Sequence, residues 1–165
     1  MKYLFVSMIL LALNTSAQES KEFIIEGKVR KTAIITLASL KNYKVIMLDS
    51  MTVFNHLLER KGSIKNIKGI LLKDILSRVE IVAESPKKLS EYYIILTATD
   101  NYKVVYSWNE LFNSSTGDHT LLLLSYDSEP VKFEKNNIAL ITTTDNATGR
   151  RFLKGLSRIS ILQVN

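Results

Sequence analysis

Gly149, Arg150, Arg151 and Lys154 stand within six residues of one another, and Arg158 follows four residues after Lys154. Guanidinium forks beside a glycine suit recognition of phosphate or carboxylate, because parallel N–H donors match a pair of anion oxygens. The same residue types on a surface loop would also serve as a solvated basic face. Arg150, Arg151, Lys154 and Arg158 are therefore the candidate contacts for a small anionic ligand.

Other chemistry finds less support. The chain contains no cysteine, which removes thiolate nucleophiles, Cys-ligated zinc and iron–sulfur clusters together. His56 and His119 are the two histidines. Neither stands at metal-motif spacing, Asp118-His119 reads as a loop pair, and no metal site is expected. No G-x-S-x-G elbow is present and no single serine stands out, so hydrolase chemistry is unsupported. Asp100-Asn101 is a turn pair, since these side chains bond their own backbone and tolerate left-handed dihedrals. No residue pattern points to a reaction.

The formal net charge is +6, from 22 Lys and Arg against 16 Asp and Glu. A balance this modest reads as a solvated surface, and a nucleic-acid partner is not expected. The first residues carry a different message. Lys2 supplies a positive start, Tyr3 to Leu13 an apolar run of eleven residues, and Thr15-Ser16-Ala17 a small-residue cleavage site. This is the layout of a secretory signal peptide over residues 1–17, with the exported chain beginning near Gln18. The apolar run is too short to span a bilayer, and no stable membrane insertion is expected once the leader is removed. The destination would be periplasmic or extracellular.

The elements that must position the basic cluster follow from periodicity. Glu22 to Arg30 alternates as a strand with one wet face, and Thr36 caps a short helical turn over Leu37 to Leu40. Tyr43 to Met51 is a strand; Thr52 to Arg60 fits either a helix or a continued strand with a hairpin. Ile67 to Val79 carries a broad apolar stripe at helical spacing and is predicted to be a helix, with Gly69 as a place to bend. Pro86 lies in a polar connector. Tyr92 to Thr99 and Tyr102 to Tyr106 form a hairpin about Asp100-Asn101, Ser107 caps a helix, and Trp108 is expected in the core. Thr120 to Tyr126 holds four consecutive leucines and must be a central strand buried on both faces. Ser128-Glu129-Pro130 reads as a turn, Ile138 to Thr144 as another buried strand, and Leu156, Ile159 and Ile161 as core contacts of the last strand. With no repeat or linker, residues 18–165 are one α+β domain.

Five segments in this order resemble the molybdopterin-binding domain of the sulfite oxidase family. They are FIIEGKV at Phe23, KGILLKDIL at Lys68 to Leu76, TATDNYKVVYSWNEL at Thr97 to Leu111, the buried leucine strand, and GRRFLKGLSRISI at Gly149 to Ile161. The resemblance implies a mixed-sheet α+β fold, a pterin cofactor held by basic and polar loop residues, and a cysteine thiolate on molybdenum. It also implies that the closing Gly-Arg segment lies near the cofactor. The thiolate is expected between Val45 and Arg60, where this chain has no cysteine and where Asp49, Ser50 and His56 lie. A hard alkoxide or carboxylate is a poor substitute for a soft thiolate on this metal. The expectation is thus an exported, non-catalytic member of the fold that binds a partner protein or a small anionic ligand and holds no cofactor. The alternative is a molybdopterin-binding oxidoreductase domain with a non-Cys ligand, for which Ser50 joins the basic cluster as a cofactor contact.

Overall fold

The structure is a computed structural model and describes residues 20–129 and 138–164. The expected leader and Pro130 lie outside the described residues. Two five-stranded sheets, with a few short helices, make up one mixed α and β domain.

The first sheet has β1 (Glu22–Gly27), β2 (Ala33–Thr36), β5 (Tyr92–Ala98), β6 (Lys103–Ser107) and β10 (Leu156–Gln163) in the order β2-β1-β10-β5-β6. β1 and β10 run parallel, and the other pairs are antiparallel. Alternation dictates which side is dry: Phe23, Ile25, Ile94, Leu96, Ile159 and Ile161 are all buried. At Gly27 the backbone takes a φ of +96°, and a Cβ there would collide with the Ile161 carbonyl. Thr36 does cap α1 (Leu37–Leu40), and Ser107 caps α3 (Trp108–Phe112); each exchanges side-chain hydrogen bonds with the residue three positions on.

The second sheet is antiparallel throughout, with β3 (Ile46–Phe54), β4 (Arg60–Leu71), β7 (Thr120–Glu129), β8 (Ala139–Thr142) and β9 (Leu153–Lys154) in the order β3-β4-β7-β8-β9. β7 sits at its centre and is buried on both faces, as its leucine run requires. Leu122 and Leu124 face the main core between the sheets, which α1, α2 (Leu72–Leu76) and α3 close. Leu121 and Leu123 face a second core with Ile64, Ile67 and Tyr126.

That second core exists because the sheet curls toward a barrel. A 3-10 helix, Thr148–Arg151, feeds the edge strand β9 yet docks on the opposite edge, β3. The buried Thr148 hydroxyl accepts the Phe54 amide at 2.9 Å and donates to the Thr52 carbonyl at 3.3 Å. Gly149 comes so close that a Cβ would stand 2.7 Å from the Phe54 carbonyl oxygen.

Three expectations are corrected. Ile67 to Val79 is not one helix: Ile67 to Leu71 end β4, and only Leu72–Leu76 is helical. The strand's register shifts between Lys65 and Lys68 and again before Gly69, with Asn66 at a positive φ of 49°. The irregularity places Ile64 and Ile67, three apart, in the same core; beyond it Ile67 and Leu71 face that core and Ile70 the other, so burial on both faces imitates helical spacing. Ser128 and Glu129 end β7 instead of turning. Trp108 packs against the main core but is only half-buried, stacked on Phe112 with ring centroids 3.9 Å apart beside an apolar groove that includes Leu76, Val79 and Leu89. Of the two readings of Thr52 to Arg60, the strand with a hairpin is the one observed.

Candidate functional site

The β3–β4 hairpin and the Thr148–Arg151 helix meet around a cavity of about 440 Å³. The hairpin contributes Val53, Phe54, Asn55, His56 and Lys61, and the C-terminal segment contributes Gly149, Arg150, Phe152 and Lys154. Tyr102, from the far end of the β5–β6 turn, completes the wall and donates its hydroxyl hydrogen to the Arg150 carbonyl. That turn is built as its residues require: Asn101 has a φ of +68°, and the Asp100 carboxylate accepts the Tyr102 amide at 2.9 Å.

The hairpin tip is ordered by one side chain. Asn55 Oδ1 accepts the amides of Leu57 and Glu59, both at 2.9 Å, while its Nδ2 donates to the Glu59 carboxylate at 2.9 Å. This holds His56 and Lys61 at the cavity rim.

Charge decides what the cavity favours. Arg150, Lys154, Lys61 and His56 line it, and none of the described lining residues is a carboxylate. The Glu59 carboxylate approaches Lys61 at 3.7 Å from outside, with both side chains about 60% exposed, a weak pair. Lys154 Nζ lies 5.1 Å from the Phe152 ring centroid, a cation–π contact that leaves its donors available. Cations beside Phe54, Phe152 and Tyr102 suit an anion with an apolar part.

The five residues expected at a ligand site are not brought together. Arg150 and Lys154 line the cavity. Arg151, next in the chain, is held by carboxylates: its Nε donates to Asp145 Oδ2 at 2.7 Å, its Nη2 to the other oxygen, and its Nη1 to Glu110 at 3.1 Å. Its guanidinium also covers the Tyr106 ring, 4.5 Å from the centroid. The Asp145 hydrogen bonds hold it firmly cationic. Arg158 bridges parallel strands to Glu26 at 2.6 Å. Ser50 is exposed in the middle of β3 opposite Lys65 and does not line the cavity.

Lys61, His56 and Tyr102 were not assigned to an anion site from the sequence. Lys61 and His56 reach it because Thr148 docks on β3, a contact 94 residues long, and Tyr102 reaches it through its hydrogen bond to Arg150. The paired Arg60-Lys61 was visible as a basic step, but nothing local tied it to Arg150.

A molybdenum centre can be tested against these residues. Among the described residues, no three His, Asp or Glu side chains gather as a metal-binding group. Ser50 and Asp49 are exposed on β3, and the cavity wall offers cations where a metal would need anionic or soft donors. The residues present do not fit a protein-ligated molybdenum.

No family model matches the sequence, and no curated protein matches it. Among solved structures, the chain is similar to the sulfane dehydrogenase SoxCD from Paracoccus pantotrophus, with a TM-score of 0.57 at 13% identity over 87% of this chain. At that identity the fold is what the two have in common. The chain spans 38% of that chain's length.

Proposed function

We propose that this chain is an exported, non-catalytic member of the molybdopterin-binding oxidoreductase fold that binds a small anionic ligand. Three things support the reading: the ordered resemblance of five segments to the sulfite oxidase family, the fold shared with a dehydrogenase chain, and the absence of any cysteine. The observation that carries the ligand class is the cavity, where Arg150, Lys154, Lys61 and His56 converge with no carboxylate among the described lining residues. Arg150 and Lys154, which make no ion pair among the described residues, are poised to accept an external anion.

Export rests on the leader reading of residues 1–17. A secreted product whose mass begins near Gln18 checks it. Titration calorimetry with glycerol phosphate checks the site. Binding is expected, and Arg150→Gln with Lys154→Gln lowers affinity by roughly ten- to a hundredfold, since each charge-assisted hydrogen bond contributes about 1.5–3 kcal/mol before water substitutes for part of it. Arg158→Gln, which loses only its Glu26 pair, leaves affinity unchanged. Stoichiometric molybdenum and a pterin fluorophore in the purified chain would replace this reading with that of a cofactor-bearing oxidoreductase domain.

A further inference from the structure

Two leucines stand where a hairpin loop ordinarily places polar residues. Leu57 and Leu58 at the β3–β4 tip are 64% and 60% exposed, although the domain has two cores that could take them. Leu58 is moreover held at a φ of +62°. Glycine or asparagine takes that left-handed conformation readily, whereas leucine takes it at a cost. The tip is nevertheless well ordered, because Asn55 accepts the amides on either side of Leu58 and grips Glu59. The chain thus fixes two apolar side chains outward in a strained loop.

What surrounds them identifies the surface they suit. His56, Arg60 and Lys61 flank the leucines in sequence, with Glu59 as the one acid of the tip. His56 and Lys61 also line the cavity that holds Arg150 and Lys154. An apolar tip beside a cationic cavity complements a surface that presents hydrocarbon beneath anionic phosphates. A soluble anion would make no use of the leucines, and an apolar ligand would make no use of the cations.

We propose that the β3–β4 tip is a peripheral docking element for anionic phospholipid membranes. Leu57 and Leu58 enter the acyl boundary while a lipid phosphate occupies the basic cavity. The second part rests on the anion-binding reading above. Among the described residues no helix is long and apolar enough to cross a membrane, so the contact is made by the tip.

The test is co-sedimentation of the purified chain with vesicles of phosphatidylcholine, alone or mixed with phosphatidylglycerol. Sedimentation is expected with the mixed vesicles and is expected to fall as salt rises. Leu57→Ser with Leu58→Ser lowers vesicle affinity by roughly tenfold or more, while calorimetric binding of free glycerol phosphate stays intact. Leu58→Gly, which relieves the backbone without emptying the tip of Leu57, raises the melting temperature and gives a smaller loss of vesicle binding. Arg150→Gln with Lys154→Gln weakens it by roughly fivefold per charge. Binding of glycerol phosphate without vesicle binding overturns the membrane proposal and leaves the cavity reading standing. Equal sedimentation of the double-serine variant also overturns it, and would assign the tip to a protein partner. Vesicle binding indifferent to the Arg150 and Lys154 changes, with no glycerol phosphate bound, overturns the cavity reading itself.

Discussion

Arg150 and Arg151 are neighbours in the chain with opposite assignments. Arg150 lines the basic cavity, while Arg151 is committed to Asp145 and Glu110 and lies over Tyr106. The first is available to a ligand and the second locks the segment that presents it. Asp145 precedes the Thr148–Arg151 helix and Glu110 belongs to α3, so one guanidinium ties the C-terminal segment to the first sheet's helix.

Removing Arg151 leaves two carboxylates facing each other without their cation. Arg151→Ala is expected to destabilise the domain by about 2–3 kcal/mol, because the fork is largely desolvated. Arg151→Lys recovers only part of that, since a point charge cannot bridge both Asp145 oxygens and stack on Tyr106. Urea denaturation measures both; a loss below 0.5 kcal/mol for the alanine variant would contradict the locking role.

Alkaline pH should weaken the domain through Tyr106. Its hydroxyl is hydrogen-bonded to Thr142 at 2.7 Å, which in turn meets Thr120 at 3.0 Å, and burial pushes its pKa from the usual 10 up to about 12. The folded state keeps the proton that the unfolded chain gives up near pH 10. Stability is therefore full below pH 10 and is lost as pH rises toward 12. Tyr126, also raised by burial, adds to the same fall. Tyr106→Phe costs about 1 kcal/mol at neutral pH and makes the decline between pH 10 and 12 shallower in thermal melts. An unchanged slope would refute the assignment.

Closure of the second sheet hangs on Thr148. Thr148→Val keeps the shape but leaves the Phe54 amide without its acceptor, at an expected cost of about 1–2 kcal/mol. Gly149→Ala forces a Cβ against the Phe54 carbonyl, displacing the hairpin from Arg150. Its effect should appear more strongly in glycerol phosphate affinity than in the melting temperature, whereas a purely structural role would lower the melting temperature alone.

The reading from sequence succeeded where one residue decides a local geometry. Thr36 and Ser107 cap helices because their hydroxyls satisfy amides three residues on, and Asp100-Asn101 turns because its dihedrals allow it. Burial of Leu156, Ile159 and Ile161 followed from hydrophobicity alone. Ile67 to Leu71 misled because the strand is buried on both faces, with Ile67 and Leu71 toward one core and Ile70 toward the other, which gives a strand the spacing of a helix. The cavity was half legible: Arg150 and Lys154 stood out as a cluster, but their neighbour Arg151 proved to be spoken for by acids 6 and 41 residues away. Such pairings are set by the curl of a sheet, which no local pattern encodes.

β7 has a consequence for how the domain comes apart. Leu122 and Leu124 belong to one core, and Leu121 and Leu123 to the other. Neither core can melt while the other persists, because the strand that walls one is the strand that walls both. Unfolding is accordingly a single cooperative event.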